Sequence, residues 1–392
     1  MLLTWIGFLV SLAGILIISR KNLAAGLISG ALILGLFTLP VQSVLRQAID
    51  TVSDPSIILL AIAMGLIPVL GGTMKESGQI DSLVNNVRLS RRYMLPFSAA
   101  LMGLLPMPGG ALLSAPIVER AGEGVSDELK AVINNWFRHL FILIYPLCSA
   151  LIVSAEIAGL DVYQAIVYLL PAFFFALALG YIFFLRHVNG HPNRAQAFSW
   201  AGLAIPVVII LCAPLIDFSL KRLLSLGSLA TLAGVSSGLL LSIGLSKRKL
   251  YLWRIMTGMR SWNFSLIIVG MFLYLHIFQQ SDARSLIATL PLPPLMLAVC
   301  AGCLLGFVTG RVQLPASIIL PVYLASVSSV EPEVFALIYV SIFFGYIISP
   351  VHPCLVVTCQ YFHVPIRRML VGLAAPTLLV VLVVLVLAWV LG

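Results

Sequence analysis

Arg311, within Thr309-Gly310-Arg311-Val312-Gln313-Leu314-Pro315, is the one basic residue that stands well inside an apolar segment and far from either end. Placing it there costs about 2.5 kcal/mol or more on insertion scales, so an intramembrane arginine is read first as functional. Its planar fork suits a carboxylate or phosphate. We read Arg311 as a substrate-anion clamp, with Gly310 and Gln313 beside it. The competing readings are an ion pair holding a hairpin shut, or a shallower hairpin with Arg311 snorkelling to water.

Pro106-Met107-Pro108-Gly109-Gly110 is a second such place. Pro-Gly-Gly cannot continue a helix, so it reads as a hairpin tip whose exposed amides face an anion, with Pro108, Gly109, Gly110 and the following Ser114 as substrate contacts. Two Pro breaks interrupt otherwise apolar spans, at Tyr145-Pro146 and at Ser349-Pro350-Val351-His352-Pro353. Freed carbonyls at such breaks can hold Na⁺. Tyr145, Pro146, Thr309, Ser349 and Pro350 are therefore the candidate Na⁺ ligands, by backbone or hydroxyl; a bent, packed helix is the alternative.

The second break exposes His352, which we place among the substrate contacts and which is the better histidine candidate for a proton carrier if coupling is not to Na⁺. His276, late in a span and without a titratable companion, reads as satisfied in a helix contact. Asn134-Asn135-Trp136-Phe137-Arg138-His139 opens the span after the first tip. Asn135 is a candidate substrate contact, although Trp and Arg here also fit an interfacial anchor.

The acids, Asp217 among them, fall in loops or at span ends, so no carboxylate is expected at mid-membrane depth and an Asp/Glu proton relay is disfavoured. Six cysteines lie in or beside apolar runs and no disulfide is expected. Cys300-Ala-Gly-Cys303 lacks a second ligand pair and reads as small residues at a helix contact. No His spacing of the H-E-x-x-H kind occurs, so the chain is not read as an enzyme, and the only cofactor expected is Na⁺ as a coupling ion.

Several apolar elements must hold these residues. Of 392 residues, 61% are hydrophobic and 9% charged, with mean hydropathy +1.10, which excludes a water-soluble globule. The +9 charge sits in short loops and reads as a topology signal, not as a nucleic-acid footprint. Leu2–Ile18 is followed directly by Arg20-Lys21-Asn22 and reads as a retained span. The lipid bilayer is the first partner implied, and a small anionic molecule the second.

Self-similarity recurs at a period near 205: Ala25-Gly26-Leu27-Ile28-Ser29-Gly30 returns as Ala233-Gly234-Val235-Ser236-Ser237-Gly238, and Ile144-Tyr145-Pro146 as Ile348-Ser349-Pro350. Each half reads as five spans, and an odd number inverts the second half relative to the first. The expected fold is all-α: a first repeat over 1–186 with a re-entrant hairpin at about 94–118, a cytoplasmic linker over 187–197, and a second repeat over 198–392 with a hairpin at about 292–323. Hairpins put 18 Lys and Arg on one side against 4, with Arg311 apart, whereas straight spans divide them 11 to 11. The positive-inside rule selects the hairpins and places both termini outside.

Inverted five-span repeats, each with a hairpin followed by a Pro-broken span, resemble the ion transporter superfamily, which includes dicarboxylate and citrate carriers, gluconate permeases and the large membrane subunits of tripartite transporters. Leu105-Pro106-Met107-Pro108-Gly109-Gly110-Ala111-Leu112-Leu113-Ser114-Ala115-Pro116 looks most like an uncharacterised prokaryotic family within it. The resemblance implies a multi-pass protein of the prokaryotic cytoplasmic membrane, a homodimer whose hairpins and broken spans move as an elevator against a scaffold. The dicarboxylate carriers' Ser-Asn-Thr signature is missing at both tips.

The expected function is a secondary active transporter of a small organic anion, coupled to a cation, with Na⁺ favoured over H⁺. An ion exchanger or lipid-phosphate flippase, and a membrane subunit of a multi-component transporter, are the alternatives.

Overall fold

The computed structural model describes residues 2–104, 110–190, 198–283 and 293–391, and helix is the regular secondary structure among them. The chain runs through α1 (Leu2–Ile18), α2 (Leu23–Thr38), α3 (Val41–Ser53), α4 (Pro55–Glu76), α5 (Gln79–Asn86), α6 (Arg91–Gly103), α7 (Gly110–Ala121), α8 (Asp127–Leu140), α9 (Ser149–Ile157) and α10 (Val162–Gly180). It continues through α11 (Trp200–Leu224), α12 (Gly227–Gly244), α13 (Leu252–Met259), α14 (Ser261–Gln280), α15 (Pro294–Thr309), α16 (Gln313–Ser326), α17 (Pro332–Ile347), α18 (Pro353–Tyr361) and α19 (Ile366–Leu391).

Local chemistry sets the starts. Asp54 accepts from the Ser56 and Ile57 amides at 2.7 and 3.4 Å while Pro55 opens α4. Asp161 accepts from Tyr163 and Gln164 at the head of α10, and Ser126 from Leu129 at the head of α8, whose first turn carries Asp127 and Glu128.

Six of these helices are long and apolar enough to cross a membrane, or seven if α8 with its 3-10 extension Phe141–Ile144 and α9, bent by 41°, form one span. The other three of the ten expected spans are shorter. α1 and α2 have 17 and 16 residues, and the longer member of the pair α17 and α18 has 16, against about 20 for a straight crossing. The sequence reading also missed α3, where Val41, Leu45, Ile49 and Val52 are all exposed. That apolar stripe beside Arg46 and Asp50 suits a helix lying in the interface plane.

Packing sorts the helices into two bundles. In one, α14 lies on α2 and α4, α12 on α4 and α11, and α1 on α2. In the other, α6 lies on α7 and α8, α15 on α16 and α17, and α17 on α10 and α19. α14 bridges them by touching α16 and α9.

The second bundle depends on missing side chains. A Cβ at Gly345 would stand 2.1 Å from the Cys303 carbonyl oxygen, and one at Gly306 2.3 Å from that of Ile342. The α15 and α17 backbones touch, as the small residues around Cys300 and Cys303 suggest.

Asp217 corrects the sequence reading. It lies inside α11, about two turns before the helix ends at Leu224, and it is 1% exposed. Tyr163 and Thr231 hydroxyls donate to it at 2.6 and 2.8 Å, and Lys221 lies 3.1 Å away. Partners on three helices keep this charge buried.

Candidate functional site

The two helix pairs and two broken helices of the second bundle converge. α6 ends at Gly103, whose hypothetical Cβ would lie 1.9 Å from the Arg138 carbonyl oxygen on α8. α15 ends at Gly310, with φ +61°, whose Cβ would lie 2.8 Å from the His352 backbone nitrogen. A left-handed turn and a close backbone approach both demand glycine there. The ends of α6 and α15 are thus pressed onto different broken helices.

The breaks share one geometry. At the first, the Cys148 amide donates to the Tyr145 carbonyl at 2.9 Å; at the second, the His352 amide donates to the Ser349 carbonyl at 3.2 Å. In each, a proline follows the accepting residue and a new helix starts at once, α9 or α18.

Between these elements and α2 and α14 lies a cavity of about 430 Å³. Of the residues singled out in the sequence, Tyr145, Gly310, Arg311, Gln313 and His352 line it. Gln313 also donates to Ser149 Oγ at 3.4 Å.

Arg138 and His139 line it too, and here the sequence reading is corrected. Arg138 is 4% exposed, not an interfacial anchor. Its Nη1 donates to Ser114 Oγ at 3.2 Å and its buried Nε has no hydrogen-bond partner. Ser114 and Asn135 stand behind the cavity wall: Ser114 under Arg138, and Asn135 donating to the Ile347 carbonyl at 3.3 Å with its Oδ1 unpartnered. Asn134, Asn135, Arg138 and His139 recur one turn apart, so they share a polar face on a helix packed within an apolar bundle, a signal present in the sequence.

Thr309 and Ser349 spend their hydroxyls on backbone carbonyls, of Leu305 at 2.7 Å and of Phe307 at 2.5 Å. With Pro146 and Pro350 they lie outside the cavity lining. Pro108 and Gly109 fall outside the described residues, and Gly110 opens α7. His276 sits far from this site, with Nδ1 2.9 Å from the Thr51 hydroxyl.

No Asp or Glu is among the described residues that line the cavity, and neither Arg138 nor Arg311 takes part in a salt bridge formed by them. Two guanidinium groups, one from each half of the chain, therefore face a space with no protein anion to balance them. Such a space attracts a negatively charged ligand.

The fold and this buried polar cavity define a multi-pass helical membrane protein with the fold of a membrane transporter. The chain is similar to the YdaH transporter of Alcanivorax borkumensis, whose crystal structure has an unusual topology, with a TM-score of 0.60 at 16% identity over 93% of this chain and 95% of that one. No curated protein matches the sequence. A family model does match over residues 3–391, and the chain belongs to that family, DUF401, described as proteins of unknown function.

Proposed function

We propose that this chain is a secondary active transporter that moves a small organic anion by cation coupling, Na⁺ in preference to H⁺. The observation that carries this reading is the cavity shared by Arg138 and Arg311 with no carboxylate among its described lining residues. Its volume, about 430 Å³, suits a small molecule. Tyr145, Gln313 and His352 supply the neutral polar contacts.

Na⁺ is the preferred coupling ion because the described residues lining the cavity include no Asp or Glu to carry a proton, and because Pro breaks of the kind at Tyr145-Pro146 and Ser349-Pro350 can hold Na⁺ on backbone carbonyls. Asp217, the buried carboxylate, is held by Lys221 in the other bundle.

The two bundles support an elevator mechanism as part of this reading: the site's helices belong to one, and α2 and α14 of the other wall it through Leu23, Phe264 and Ile267. The inverted repeat is part of the same proposal. Its support is that α6–α10 and α15–α19 follow one order: a helix pair, a Pro-broken helix, then a long helix. A homodimeric scaffold, both termini outside and a prokaryotic inner membrane complete the reading.

The test uses the purified chain alone in liposomes, with inward Na⁺ or choline gradients at fixed pH and a labelled panel of small carboxylates, sugar acids and phosphates. Na⁺-driven uptake of at least one organic anion is expected. Uptake unchanged in choline would remove Na⁺ coupling. Uptake confined to inorganic phosphate or to lipid phosphates would replace the organic anion with those cargoes, and no uptake without a second protein would make the chain a subunit.

A further inference from the structure

We propose that His139, His352 and Cys354 form a binding site for a borderline-soft divalent metal ion, of the Zn²⁺ type, with its fourth coordination position open to the cavity.

One ligand atom from each of the three lies within 4.8 Å of the others. Tetrahedral coordination at about 2.0–2.3 Å spaces such atoms roughly 3.3–3.8 Å apart, so the site closes by about 1 Å when filled. The movement falls on the C-terminal turn of α8 and the first turn of α18, both at helix breaks.

The ring of His139 is set up for ligation. Its Nδ1 lies 2.6 Å from the Asn135 carbonyl oxygen one turn earlier, so Nδ1–H donates there and Nε2 is left with its lone pair. A second contact of this kind is what orients a metal-ligating histidine.

His352 gives the independent observation. It is 1% exposed, and neither ring nitrogen has a hydrogen-bond partner in acceptable geometry, although the Tyr346 and Ile347 carbonyls lie near. A buried imidazole with both nitrogens unpaired is costly unless a ligand completes it. Its ring centroid is 4.6 Å from that of His139, and both rings line the cavity with Cys354.

Two imidazoles and a thiolate select a Zn²⁺-like ion over Na⁺, Mg²⁺ or Ca²⁺, which prefer oxygen. Binding replaces the Cys354 S–H proton with an S–metal bond and releases that proton to water, while both histidines stay neutral. The filled site carries a net single positive charge near Arg138. Resting on the organic-anion reading, its open position takes a carboxylate oxygen of that substrate, adding to the two arginines.

The test is titration of the purified, EDTA-treated full chain with Co²⁺ alone, followed by visible and near-ultraviolet absorption. Wild type is expected to bind one Co²⁺ per chain, with a thiolate charge-transfer band and the strong visible bands of tetrahedral cobalt. Cys354→Ser should abolish the charge-transfer band, and His139→Gln or His352→Gln should weaken binding at least about 10-fold. Absence of stoichiometric Co²⁺ binding in wild type, or a Cys354→Ser spectrum identical to wild type, overturns the site.

Cys354 is half-buried, so its serine variant keeps the test open if a histidine variant fails to fold. Gly227→Ala, at an open position in the other bundle, should bind Co²⁺ as wild type does. Co²⁺ binding without stabilisation by any anion would leave the metal site standing and remove the anion reading; anion stabilisation without Co²⁺ binding would do the reverse.

Discussion

Arg138 and Arg311 line one cavity from opposite halves of the chain, and neither has a salt-bridge partner among the described residues. Each should therefore contribute to holding the substrate anion. Arg311→Lys, which keeps the charge and loses the fork, is expected to weaken binding about 10-fold, and Arg311→Ala by about 100-fold or more. Isothermal titration with the stabilising anion checks the order, and equal affinity for all three would remove Arg311 from the site.

Arg138 is held by Ser114, which sits on α7 behind the wall. Ser114→Ala frees Arg138 Nη1 without touching the cavity. Binding should fall by about 3- to 10-fold, the worth of one ordinary hydrogen bond, with little change in the melting temperature of the unliganded protein. A fall in that melting temperature with affinity intact would make Ser114 a packing residue only.

Gly310 joins the tip of α15 to the second break. Gly310→Ala places a Cβ 2.8 Å from the His352 amide nitrogen at φ +61°, adding about 1–2 kcal/mol of backbone strain to the clash. Lower thermal stability and lost anion binding are expected together. Gly227→Ala, where nothing stands within 4 Å, is the control and should change neither.

In the other bundle, Asp217→Ala strands Lys221 and leaves the Thr231 hydroxyl without its acceptor, while Tyr163 keeps only the Pro214 carbonyl at 2.9 Å. The expected cost is about 3–5 kcal/mol, with Asp217→Asn costing less because an amide oxygen still accepts. Thermal unfolding in detergent measures it; a melting temperature unchanged in Asp217→Ala would contradict this account of the buried pair.

These positions differ in how much the sequence reveals. Arg311 is legible because its neighbours are apolar on both sides and Gly310 breaks the helix beside it. The two Pro breaks are legible because proline acts on its own backbone wherever it stands. Arg138 is not, because Asp127 and Glu128 a few turns earlier put the start of its span near the membrane interface, where Trp and Arg are common anchors. It is buried where Gly103 of α6 and Ser114 of α7 meet it, contacts that its own segment does not announce. Asp217 fails for the same reason: a loop reading is natural for an acid beside Lys221, and the partners that bury it, Tyr163 and Thr231, come from other helices.

The measurement that bears most directly on the organic-anion carrier is a thermal-shift screen of small carboxylates, sugar acids, phosphates and neutral analogues, in Na⁺ and in choline. It is run on wild type and on the Arg138→Gln/Arg311→Gln double variant. The cavity predicts that at least one organic anion stabilises wild type, more strongly in Na⁺, and that the double variant folds but shows no shift. Stabilisation by neutral or cationic compounds alone, or a full anion shift retained in the double variant, would contradict it.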